Sequence, residues 1–140
     1  MALIATCIEN RKHKLPTGHF DYFPLDEREL TFGQLEIGQV FFVCGVMLLD
    51  GGPRYLLQWH GDEEGPIFAP SSFFRLQSPN PVTGWYGGHV RTNFGQTPVL
   101  GYLEFATKSG HFEGLVEYKD QDIDIFVQRT REMRQTVLSD

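Results

Sequence analysis

At 140 residues the chain suits one domain, residues 1–140, with a core large enough to need no staples. Its 41% hydrophobic and 14% aromatic content excludes a disordered chain, and fifteen glycines with eight prolines favour many turns, hence β structure over a helical bundle. The net charge is −6 and no segment is densely basic, so direct nucleic-acid binding is disfavoured, and the acidic balance suits ordinary solubility or a basic protein partner.

In chain order, "ALIATCIE" reads as an opening strand and "NRKHKLPTGH" as a polar connection. "FDYFPLDERELTF" mixes aromatics with acids, and its "LDEREL" suits a helical turn. "VFFVCGVMLL" and "RYLLQWH" flank the turn cluster Asp50-Gly51-Gly52-Pro53 and predict a hairpin. "GDEEG" is a further turn, "PIFA" a short strand, and "PSSFFRLQ" a tight turn into another strand.

Residues 78–98 read as a long connection rich in glycine and aromatic rings, with Trp85 and Tyr86 at its centre. Residues 99–128 read as a β meander, in which "VLGYLEFA" and "HFEGLVEY" pair and "IDIFVQ" follows as a strand. Ile123, Phe126, Val127, Thr130, Met133 and Val137 also fit helical spacing, with Asp122 available as a cap. The β-branched, acidic opening favours a strand to Gln128, with a short helix or loose tail after it.

One phrase carries a resemblance. "LTFGQLEIGQVFF", residues 30–42, resembles the F-x-D/Q-L-x-x-G-x-x-F opening of small bacterial SH3-like barrel domains, with Phe32, Leu35, Gly38 and Phe41 or Phe42 in the pattern positions. "YLLQWHGDEEGPIFAPSSFFRL" continues it, so the resemblance covers residues 30–77. It implies a mainly β, antiparallel SH3-like small barrel elaborated by flanking hairpins. Such domains are often products of phage, plasmid or other mobile DNA, which implies an accessory or inhibitor role and no catalytic residues.

The chemistry census is mostly negative. No phosphate-binding glycine loop, nucleophile elbow or zinc-protease helix occurs. His19 and Asp21, like His111 and Glu113, would share a face if extended, and together could offer ligands to a divalent metal. Their spacing fixes no ligand set, so neither a metal nor a cofactor is assigned. Cys7 and Cys44 sit in apolar runs and read as buried, reduced thiols. The longest nearly apolar run is about half a membrane span, and the chain reads as cytoplasmic.

What remains is binding. "NPVTGWYGGHV" admits three roles for Trp85 and Tyr86: a lid over an open barrel end, anchors for a protein partner, or the lining of a small-molecule pocket with His89 and Arg91 as polar handles. Trp59 and the acidic turn Asp62-Glu63-Glu64 complete the candidate binding residues. The sequence thus reads as a non-catalytic interaction protein with a basic protein partner, the alternative being a small-molecule binder or modest enzyme.

Overall fold

A computed structural model describes residues 3–10, 35–49, 52–59, 66–77, 84–92 and 95–139. Among them, "VFFVCGVM" forms the central strand β2 (Val40–Met47). Its near-continuous apolar character follows from burial on both faces, since alternate strand residues point to opposite sides of a sheet. The other strands are β1 (Leu3–Cys7), β3 (Arg54–Trp59), β4 (Ile67–Pro70), β5 (Phe74–Leu76), β6 (Tyr86–Thr92) and β7 (Gly95–Gly101). A 3-10 turn, Ser71–Phe73, joins β4 to β5. The helices are α1 (Leu103–Thr107), α2 (His111–Val116) and α3 (Asp120–Ser139).

All pairings are antiparallel, and the strands run in the order β4-β3-β2-β1-β5, with β7 pairing both β2 and β6. β2 keeps β3 along one edge throughout. Along the other edge it changes partner: Val40 to Val43 pair with β1, whereas Gly45 to Met47 pair with β7. The β2–β3 register slips between Val43 and Gly45 at this changeover, a bulge that sharpens the local twist.

The SH3-like barrel is overturned by this topology. The path ends at β4 and β5, which are joined by the Ser71–Phe73 turn and not by a ladder, while β7 and β6 branch from β2; the sheet stays open. Of the resembling phrase, the described residues 35–39 make the entry turn to β2, and Phe32 lies outside the described residues. Leu35 is fully buried, and Gly38 takes a left-handed φ of 92° just before β2. Such an entry turn sets how one strand starts and says nothing about how a sheet ends.

The expected meander over 99–128 and the strand at 123–128 are corrected too, so the fold is mixed α/β. After β7 the chain makes three helices, the last running Asp120–Ser139. α1 and α2, of five and six residues, are too short for a 3.6-residue period to show. In α3 the helical spacing wins because Phe126 and Thr130 are fully buried in packing against the sheet and its neighbours. The α2–α3 connection turns at Tyr118, whose left-handed φ of 56° brings the Lys119 amide to the Gly114 carbonyl at 2.8 Å. The Tyr118 hydroxyl donates to the Pro66 carbonyl, tying this corner to the segment before β4.

Two apolar clusters result. On one face Phe42, Cys44, Met47 and Leu56 meet Val90, Val99, Phe105, Phe112, Leu115 and Phe126, so the helices cover the sheet. On the other, Phe41, Val43 and Leu57 meet Ala5, Cys7, Leu35, Phe73 and Phe74. The Phe105 ring packs on the cross-strand pair Gly45 and Gly101, where an added Cβ would stand 2.8 and 2.7 Å from its atoms. Burying such a ring is worth about 1.5–3 kcal/mol.

Candidate functional site

The densest polar chemistry among the described residues is buried where the three helices begin. Tyr102 is the residue before α1, His111 opens α2, and Asp122 stands in the first turn of α3. The Tyr102 hydroxyl is 2.7 Å from His111 Nε2, and His111 Nδ1 is 2.8 Å from Asp122 Oδ1. All three are buried, and burial pushes the Tyr102 phenol far above its ordinary range. With Nδ1–H donating to Asp122, Nε2 is left to accept a hydrogen bond from the Tyr102 hydroxyl. Gly114 makes the packing possible, because a Cβ there would overlap the Asp122 side chain.

An aspartate–histidine–hydroxyl chain is the geometry of a proton relay. Here both imidazole nitrogens are engaged, and the terminal hydroxyl belongs to a phenol 3% exposed and held among Phe105 and His111. No reacting atom can approach it. The chain's effect is to fix the starts of three helices to one another.

A second link joins α1 to α3 at the surface. Arg129 clamps Glu104 through two bonds, Nε to Oε1 at 2.7 Å and a terminal nitrogen to Oε2 at 2.6 Å, and also reaches Glu132 at 3.1 Å. The guanidinium holds the Glu104 carboxyl below its usual range, and Glu104 in turn raises Arg129.

The sequence-derived binding residues separate. Trp85 is half-buried and packs against the second cluster, and its indole N–H has no hydrogen-bond partner among the described residues. Tyr86 opens β6 and is 49% exposed. His89 and Arg91 are exposed on β6 and line a cavity of about 290 Å³ with Lys108, Phe112 and Glu113. Trp59 ends β3, opposite Phe41 of β2. Asp62, Glu63 and Glu64 lie outside the described residues, as do His19 and Asp21.

Of the second metal pair, His111 is fully buried and Glu113 is exposed, so α2 sends them to different environments where an extended strand would have aligned them. Among the described residues no group of three His, Cys, Asp or Glu side chains could hold a metal ion. Cys7 and Cys44 are buried thiols outside any disulfide, as their apolar settings imply. Among the described residues no helix is long and apolar enough to cross a membrane.

Within the connection expected at 78–98, Tyr86–Thr92 forms strand β6 and Gly95 begins β7. Gly88 of β6 follows from packing, because α1 lies so close that a Cβ there would overlap the Ala106 carbonyl. β6 and β7 then present opposite characters on their two faces. Val90, Thr97 and Val99 point to the helices and are buried, whereas Leu100, Pro98 and Gln96 point away and are exposed, opposite Gly87, His89 and Arg91. Val46 of β2 stands beside Leu100 on this outward face, and Leu48 continues it at 45% exposure. No family model, curated protein or solved structure matches the chain.

Proposed function

We propose that the protein is a non-catalytic binding protein whose contact surface is the outward face of β2, β7 and β6. The carrying observation is an asymmetry: one face of this half-sheet is sealed by three helices, while the other leaves Leu48 and Leu100 45% and 43% exposed beside Pro98 and Gly87. Neighbouring exposed apolar residues on a flat antiparallel face suit a protein partner. His89 and Arg91 form its polar margin, and Tyr86 stands at the rim, on the opposite side of β6 from Leu100.

The partner class is protein, and a net charge of −6 favours a basic one through steering. Among the described acids, Asp120 and Asp124 are exposed at the start of α3, whereas Asp122 is held by His111. The reading is tested by immobilising wild type, Leu100→Glu, Leu48→Glu and a remote control, Gln128→Glu, and comparing what each captures from host extract at low and moderate salt. A species retained by wild type and the control, lost with both sheet-face variants and weakened by salt supports it. Capture that is indifferent to Leu100→Glu and Leu48→Glu ends it.

A further inference from the structure

The cavity beside β6 has a chemistry distinct from the apolar sheet face. It lies between that strand and the connection from α1 to α2, with Val90 and Phe112 as its apolar part. Arg91 comes from the strand and Lys108 from the connection; His89 adds a third nitrogen base, and Glu113 is the one acid. In a chain with 18 acidic and 12 basic residues, this cavity carries two permanent cations against one carboxylate. Neither Arg91 nor Lys108 forms an ion pair with any described residue, and Glu113 pairs with neither.

Size and charge together narrow the ligand. About 290 Å³ is room for roughly ten water volumes, so the site takes a molecule of about a dozen non-hydrogen atoms and is too small for a nucleotide. The planar Arg91 guanidinium matches a carboxylate or phosphate with two parallel hydrogen bonds, and Lys108 adds a point charge. Glu113 repels a second negative charge and accepts from a hydroxyl or amine.

We infer that the cavity between β6 and the α1–α2 connection is a binding site for a small monoanionic organic acid that also carries a hydrogen-bond donor. Arg91 and Lys108 hold the anionic group, Glu113 takes the donor, and Val90 and Phe112 cover the short carbon body. The site shares His89 and Arg91 with the margin of the outward sheet face but not Leu100, Leu48 or Lys108, so Leu100→Glu separates the two readings from one side and Lys108→Ser from the other.

The test titrates the full-length chain with glycolate, and separately with inorganic phosphate, following backbone amide shifts. Saturable shifts with glycolate at residues 89–91 and 107–113 are expected, weaker at high salt. Arg91→Ser and Lys108→Ser should each weaken glycolate about fivefold, and the double variant should abolish the response. Both side chains are exposed, so unchanged thermal midpoints keep these losses attributable to the site. Glu113→Gln should tighten phosphate binding. An absence of saturable shifts with glycolate, shifts that persist in the double variant, or phosphate binding wild type more tightly than glycolate overturns the inference.

Discussion

His111 Nδ1 lies 2.8 Å from Asp122 Oδ1 in the interior, eleven residues apart in sequence and at the starts of successive helices. Neither residue faces solvent, so the pair belongs to the stability of the helical layer.

Tyr102→Phe removes the one partner of His111 Nε2 while keeping the ring. A buried polar atom left without its bond costs about 1–3 kcal/mol. Urea unfolding should show that loss, and in a cycle with His111→Ala the two effects should fall short of additive by at least about 0.5 kcal/mol. Full additivity would mean the contact contributes nothing.

Adjacent glycines of β6 should respond differently to alanine. At Gly88 the new methyl meets the Ala106 carbonyl of α1, a backbone group that cannot swing aside. At Gly87 it meets only Leu100 Cδ2 at 3.6 Å, an ordinary contact. Gly88→Ala should therefore cost about 1–3 kcal/mol or more, with Gly87→Ala close to neutral, as read from thermal midpoints.

Glu104 links stability to acid. Its clamp by Arg129 lowers the native carboxyl below the ordinary 4.5, so the folded state binds fewer protons than the unfolded one. The contribution is complete above that value and disappears as pH falls through the lowered native one. The pair is partly exposed, so Glu104→Gln should cost at most about 1 kcal/mol at pH 7. The gap from wild type should close on acidification and narrow with salt. A gap that widens in acid would contradict this.

Burial keeps both thiols out of reach, and it also raises the Cys7 thiol above its ordinary range. A disulfide reagent at pH 8 should leave the native protein unlabelled and modify two thiols once urea unfolds it. Labelling of either in native buffer would place that thiol in an opening segment.

The strands around β2 were legible because their signals are local. "VFFVCGVM" is a strand buried on two sides, Asp50-Gly51-Gly52-Pro53 marks the break before β3, and "PSSFF" marks the turn into β5. The helices were not, because "LEFAT" and "HFEGLV" are single turns or little more, and Ile123, Ile125 and Val127 fit a strand as readily as a helix. Tertiary packing against Phe126 and Asp122 decided between them. Gly87-Gly88 reads as a flexible connection in the sequence, and the need for Gly88 shows only once α1 is set against it.

The candidate sites divide in the same way. His89 and Arg91 read as polar handles in the sequence and do line the cavity, but Lys108 comes from the α1–α2 connection and Phe112 from α2, within a stretch whose sequence reads as a β hairpin. His111 and Asp122 read separately in the sequence, as a metal ligand and a cap, and Tyr102 joins them only in the structure. They stand at the starts of three separate helices, so only the fold joins them.

The partner change along β2 has a consequence for how the molecule comes apart. Phe41 and Val43 belong to one apolar cluster and Phe42, Cys44 and Met47 to the other, so neither cluster can open while the other keeps this strand in place. Local openings can release the chain termini, but exchange of the β2 amides requires both layers to separate at once. Hydrogen exchange should therefore be slowest along Phe41–Met47, at the rate of global unfolding, which makes two cores one cooperative unit.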